Sequence, residues 1–258
     1  MNSLIFQAII QGLTEFFPVS SSGHLLLLQT ITKMKGIDNL FIDTFLHSAT
    51  FLVIIIYYIK DIINIIKNII AHPFDFSNNN TRLGWLIIVG SIPTMIIGLF
   101  IEKYFKFVFS TANILFITWS ITAIFLIYSD RIKGLSKGIF DINWKNALII
   151  GLVQGIAIFP GISRSGSTIV AGLFLGIERK DAARFSFLLG LPAMAGAILL
   201  ELKDVSSISF SMNYLLIFII TFISGFVGLL LLIRLLKNAR FKYFGIYLIV
   251  LILLMVLI

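Results

Sequence analysis

The chain has 258 residues, of which 59% are hydrophobic and 12% charged, with a formal net charge of +8. A soluble domain carries roughly 25% charged residues, so this balance excludes an ordinary water-soluble core and points to a bilayer as the solvent. The lack of cysteine excludes disulfides and thiolate metal sites, and excess Lys and Arg in so apolar a chain marks cytoplasmic loops rather than nucleic-acid binding.

The first residues, MNSLIFQ, lack a basic n-region, and Gln11 and Glu15 interrupt the apolar stretch they open, so no signal peptide is expected. Stretches 4–16 and 24–31 predict two half-helices around the polar loop Gln11–His24. Full-length apolar runs follow at 41–59, 83–101 and 111–129. A second pair of short stretches, 144–159 and 168–177, flanks the loop Gln154–Thr168, and further long runs come at 185–200, 214–233 and 243–258. The six long runs have the length of spanning helices. At 1.5 Å per residue, 144–159 makes only about 24 Å of helix and 168–177 about 15 Å. Such half-helices read as re-entrant hairpins, which lipid tolerates only where their loops are buried in protein or line a wet cavity. Pro93 and Pro192 are expected to kink their spans. Asp43 and His47, one turn apart at the start of the first span, read as packing or interfacial hydrogen-bonders. Residues 72–81, HPFDFSNNNT, read as a polar loop without chemistry.

The positive-inside rule orders the loops. One side collects Lys60, Lys67, Arg82, Arg131, Lys133, Lys137, Lys145, Arg179, Lys180, Arg184, Arg234, Lys237, Arg240 and Lys242; the other holds Lys33, Lys35, Lys103, Lys106 and Lys203. The richer side is cytoplasmic. The first hairpin then enters from outside and the second from the cytoplasm. A shift of 143 residues aligns them without a gap: Gln11 with Gln154, Gly12 with Gly155, Ser20 with Ser163, Ser22 with Ser165 and Gly23 with Gly166. The expected fold is an all-α polytopic membrane protein, six transmembrane helices plus two re-entrant helical hairpins in an inverted-topology repeat. It forms a single integral membrane domain over 1–258, with halves at approximately 1–129 and 144–258. Broken helices meeting near the midplane are where such proteins place their sites.

Gln11 and Glu15 lie four apart, on one face of a helix. A carboxylate at that depth costs several kcal/mol unless paired or metal-bound. Glu15 suits a hard divalent cation, Mg²⁺ or Ca²⁺, with Gln11 adding a neutral oxygen; an ion pair between Glu15 and Arg164 is the alternative, and the two are compatible. Ser20, Ser21, Ser22 and His24 cluster at the helix break, where a hydroxyl and an imidazole can pair as nucleophile and base. In the second loop, PGISRSGST, Pro160 and Gly161 end one helix and Ser165–Thr168 offer hydroxyls to cap the next. A helix N-terminus attracts anions, and the Arg164 fork matches phosphate oxygens. Acid, metal, nucleophile, arginine and helix ends together describe phosphoryl transfer rather than ion conduction.

Through QGLTEFFPVSSSGH, PGISRSGST and ARFSFLLGLP, the sequence resembles the undecaprenyl-diphosphate phosphatases, the bacitracin resistance (BacA) family, over nearly its whole length. The resemblance implies hydrolysis of undecaprenyl diphosphate to undecaprenyl phosphate and inorganic phosphate, recycling the lipid carrier of peptidoglycan synthesis. It also implies a divalent cation, and a bacterial cytoplasmic (inner) membrane location with the site opening to the outer, periplasmic face. Carried over by position, the acidic motif falls on Gln11 and Glu15, the serine and histidine on Ser21 and His24, and the arginine motif on Ser163, Arg164 and Thr168. Glu15, Ser21, His24 and Arg164 are then the expected catalytic residues, with Ser21 favoured as nucleophile and His24 as its base. Ser20, Ser22, Ser163, Ser165, Gly166 and Thr168 are the expected substrate contacts, and Gln11 and Glu15 the metal ligands. The expected partners are a polyprenyl diphosphate lipid and membrane lipids, with a homodimer left open. Acid-phosphatase-type lipid phosphatases are excluded, because they place a His six residues after their motif Arg, where this chain has Val170. The rival is a transporter or lipid flippase on the same inverted repeat.

Overall fold

Two serines decide where the short helices begin. Ser20 and Ser163 each occupy a helix N-cap and accept, through Oγ, the N–H of the residue three positions on, Gly23 at 3.2 Å and Gly166 at 3.0 Å. In the computed structural model, which describes residues 2–32, 37–105, 111–201, 212–236 and 240–256, the first half comprises α1 (Asn2–Phe16), α2 (Ser21–Ile31), α3 (Ile37–Tyr57), α4 (Ile59–Ala71), α5 (Asn79–Phe105) and α6 (Ile114–Ser129). After a 3-10 turn at Ile139–Asp141 come α7 (Trp144–Ile156), α8 (Arg164–Phe174), α9 (Arg179–Glu201), α10 (Met212–Leu235) and α11 (Lys242–Met255). The described residues contain no β-strand, only one isolated bridge between Lys137 and Ile177.

The caps correct the expected boundaries. α2 starts at Ser21 and α8 at Arg164, so Ser21–His24 and Arg164–Thr168 lie at the starts of helices rather than in loops. The capping hydroxyl of α8 is that of Ser163, not one from Ser165–Thr168. Pro93 and Pro192 lie inside α5 and α9, which are assigned as single helices.

Among the described residues, α5, α10 and Arg179–Leu200 of α9 are long and apolar enough to cross a bilayer. α6 and α11 are shorter apolar helices, and residues 257–258 of the last expected span lie outside the described set. The expected run 41–59 stops at Tyr57, and the chain then turns by 73° into α4. The isoleucines of α4 at 62, 65, 66, 69 and 70 alternate with Lys60, Asp61, Asn64, Lys67 and Asn68 at helical spacing, which makes it amphipathic. It is anchored by the Arg184 guanidinium, which donates to both carboxylate oxygens of Asp61 at 3.0 and 2.7 Å. It also fits because Gly84 of α5 leaves room for Ile65 and Ile69, which a Cβ there would meet at 2.8 and 2.3 Å.

Helix pairing follows a pattern of exchange between the halves. α1 packs on α10 as α7 packs on α5; α3 meets α10 as α9 meets α5; α3 meets α9, and α6 meets α11. Small residues bring the backbones together, as membrane helix packing requires. A Cβ on Gly12 would lie 2.0 Å from Ser224 Oγ, and one on Gly151 2.0 Å from the Gly90 carbonyl oxygen. At one end of the bundle the loops are tied by charge. Arg179 donates to Asp130 at 2.9 Å, Arg184 holds Asp61, and Arg82 donates to the Phe140 carbonyl. All three arginines belong to the larger basic set. Lys33, Lys35, Lys106, Lys203 and Lys237 lie outside the described residues.

Candidate active site

The two hairpin tips meet and lock together. Ser20 has φ 65°, a left-handed conformation that costs a non-glycine residue roughly 1–3 kcal/mol. Its Oγ offsets this by accepting two N–H groups, from Gly23 in its own hairpin and from Gly161 across the junction at 3.0 Å. Gly161, at φ 91°, has no room for a side chain, since a Cβ would sit 2.0 Å from Thr118 Oγ1. A Cβ on Gly166 would press on Pro18 at 2.9 Å.

This junction surrounds Glu15, in the last turn of α1 and 8% exposed. One carboxylate oxygen accepts Arg164 Nη2 at 2.8 Å. The other accepts Gln11 Nε2 at 3.0 Å and the Ser21 hydroxyl at 2.5 Å. Ser21 and Arg164 are the first residues of α2 and α8, and the 143-residue shift pairs them. Equivalent helix starts thus bring a hydroxyl and a guanidinium to one carboxylate. The ion pair weighed from sequence is present, between a buried Glu15 and a partly buried Arg164.

Two polar atoms here remain unmatched among the described residues: Gln11 Oε1 and Arg164 Nη1 are buried without a hydrogen-bond partner. Leaving such groups unpaired costs about 1–3 kcal/mol each, more for a charged one, so they are poised for a ligand's oxygens or cation. Arg164 Nη2 also reaches Met194 Sδ at 3.3 Å, while Nη1 lies against Gly190, where a Cβ would be 2.0 Å away. Gly190 was not singled out from sequence, and only the close approach of α9 explains it.

The His24 ring departs from expectation. Its Nδ1 lies 2.7 Å from the Ser20 carbonyl oxygen, which can only accept, so Nδ1 carries the proton and Nε2 faces the Tyr247 hydroxyl at 2.9 Å. The ring stacks on Tyr247 and tilts against Trp119. Ser21 and His24 do not pair in this structure: the Ser21 hydroxyl turns to Glu15, because the bond to Ser20 one turn back swings the imidazole the other way. The histidine beside Glu15 is instead His47, whose Nε2 is 3.7 Å from Oε2. Its Nδ1 bonds the Asp43 carbonyl oxygen at 2.7 Å, and Gln29 donates to the Asp43 side chain at 2.8 Å. The packing role read from sequence for His47 is thus incomplete. The available signal was an imidazole and a carboxylate inside an apolar run.

All six expected substrate contacts have structural partners, those of Ser20 being the Gly23 and Gly161 N–H groups. Ser163 caps α8, and Thr168 bonds the Ser186 hydroxyl at 2.5 Å. Ser165 donates to the carbonyl oxygen of Phe17 at 3.3 Å, and Gly166 packs on Pro18. Ser22 is half-exposed and contacts Ser20 Oγ at 3.2 Å. For a cation, the protein offers Gln11 Oε1 and the Glu15 carboxylate; no three His, Cys, Asp or Glu side chains gather into a metal site among the described residues. Such a pair fits a hard cation that brings most of its ligands with it, as Mg²⁺ does on phosphates.

A family model described as bacitracin resistance protein BacA matches residues 4–254. An undecaprenyl-diphosphatase of Methanosphaera stadtmanae is 40% identical over 259 residues, covering 95% of this chain and 93% of the relative. That of Alkaliphilus metalliredigens is 39% identical, with coverages of 94% and 93%. Undecaprenyl-diphosphatase 4 of Bacillus thuringiensis subsp. konkukian is 41% identical, with coverages of 93% and 90%.

Proposed function

The chain belongs to the bacitracin resistance protein BacA family, and from that membership we propose that it is a membrane phosphatase hydrolysing undecaprenyl diphosphate to undecaprenyl phosphate and inorganic phosphate. The observation that carries the chemistry is the convergence of Ser21 and Arg164 on Glu15 where the hairpins meet. The Ser21 Oγ attacks the terminal phosphorus and passes its proton to Glu15. The bond from that phosphorus to the bridging oxygen breaks, and undecaprenyl phosphate leaves. Water then attacks the phosphoserine, the bond from phosphorus to Ser21 Oγ breaks, phosphate leaves, and Glu15 returns its proton to Oγ to restore the hydroxyl. His47, beside Glu15, takes the proton of that water. Arg164 keeps Nη2 on Glu15 and offers Nη1 to the transferred phosphoryl group. Ser22 adds a hydroxyl at the same rim. Ser20, Ser163, Ser165, Gly166 and Thr168 shape the phosphate site by holding the loops, and His24 with Tyr247 sets the orientation of the first turn of α2.

A divalent cation, Mg²⁺ or Ca²⁺, is the proposed cofactor; Gln11 Oε1 and the Glu15 carboxylate would hold it, and it would supply neutralisation of charge on the leaving phosphate. The proposed architecture is six spans with two re-entrant hairpins in an inverted repeat, which the exchange of helix partners between the halves supports. The proposed setting is the inner membrane of a bacterium with the site opening outward, supported by the basic loops gathered at one end of the bundle. Purified protein in detergent, supplied with undecaprenyl diphosphate and a divalent cation, should release phosphate, and Ser21→Ala should abolish that release. No divalent-dependent release by the parent protein would overturn this reading in favour of a lipid transporter.

A further inference from the structure

Where α6, α9 and α11 meet, an open cavity of about 450 Å³ is lined by Ile127, Asp130, Arg131, Arg179, Arg240 and Lys242. We propose that this cavity binds a phosphate group, carried on an anionic lipid headgroup or free as inorganic phosphate.

Four cationic side chains face one carboxylate, and that carboxylate is already engaged. Asp130 accepts Arg179 Nη2 at 2.9 Å and the N–H groups of Phe241 and Lys242 at 3.0 and 2.9 Å, so it anchors the start of α11 to the end of α6. Among the described residues, Arg131, Arg240 and Lys242 form no ion pair. Basic loop residues ordinarily point into solvent separately. Here they share one concave wall, and aromatic faces set their stems: Arg131 lies over Tyr128 at 5.8 Å, Arg179 over Phe241 at 5.2 Å and Lys242 over Tyr243 at 5.4 Å.

Guanidinium forks match phosphate oxygens two at a time, and basic pockets between membrane helices at the cytoplasmic end hold phosphate headgroups. None of the lining residues belongs to the candidate active site. Along α6, Asp130 lies eleven residues past Trp119, about 16 Å of helix. Along α11, Lys242 precedes Tyr247 by five residues, about 7.5 Å. The two sites therefore share helices and no residues.

The test uses the full chain in neutral detergent and two double variants of equal charge. Arg131→Gln/Arg240→Gln alters the cavity, and Lys145→Gln/Lys180→Gln alters exposed positions outside it. Native mass spectrometry compares retention of phosphatidylglycerol with phosphatidylcholine, and thermal unfolding is followed with added inorganic phosphate. A headgroup ligand predicts phosphatidylglycerol adducts weakened about thirtyfold in the cavity variant, roughly fivefold per arginine lost, and kept in the control. A free-phosphate ligand predicts instead a phosphate-dependent rise in melting temperature that only the cavity variant loses. Equal behaviour of the two variants in both assays would overturn the proposal. All four altered residues are exposed, so folding is retained, and circular dichroism verifies it.

Discussion

Replacing Arg164 by lysine keeps the positive charge and removes the fork. In the parent protein one guanidinium nitrogen is held 2.8 Å from Glu15 while the other is buried and unpartnered. A lysine ammonium is one nitrogen at the end of a shorter reach, and it cannot serve Glu15 and a phosphoryl oxygen with the same geometry. The variant therefore loses one charge-assisted bond at the transition state, about 1.5–3 kcal/mol, which corresponds to a fall in kcat of about tenfold to 150-fold. The assay is phosphate release from undecaprenyl diphosphate by the purified variant, with thermal unfolding monitored in parallel. Because Glu15 keeps a cationic partner, stability should change little. Turnover within about threefold of the parent would remove Arg164 Nη1 from the reaction.

Gly190→Ala tests the same geometry from the other side: its Cβ, placed 2.0 Å from Arg164 Nη1, should displace the guanidinium and lower kcat at least about tenfold. Gly196→Ala, on the same helix with nothing within 4 Å, should stay within about twofold, and equal effects of the two would refute the cradle. His47→Gln should slow turnover by about a hundredfold through loss of the proton acceptor beside Glu15, and unchanged single-turnover and steady-state rates would exclude that role. In this Cys-free chain, a single cysteine at Lys35 should react with an impermeant reagent in intact cells and one at Lys180 should not; the reverse pattern would invert the proposed orientation.

Composition alone dictated the solvent, and charge counting and spacing read the two broken hairpins, because the cost of burying polar groups in lipid leaves such segments few options. The motif residues Gln11, Glu15, Ser21 and Arg164 were legible for the same reason: an ionisable or hydroxylic group inside an apolar stretch stands out. Partners that act at long range were not. Gly190 and His47 come from α9 and α3, and nothing in their own neighbourhoods reveals that they approach Arg164 and Glu15. The orientation of His24 turned on a carbonyl one turn away, a matter of backbone geometry rather than of residue type.

α4 was readable from its isoleucine spacing, yet its 73° turn depends on Asp61 meeting Arg184 from the other half of the chain. The sequence by itself determined which groups must leave lipid and seek each other. Which nitrogen, oxygen or glycine they meet was decided only by tertiary packing, within a half for Arg164 with Gly190 and Glu15 with His47 and between the halves for Glu15 with Arg164, since residues tens to more than a hundred positions apart leave no local signature of their contact.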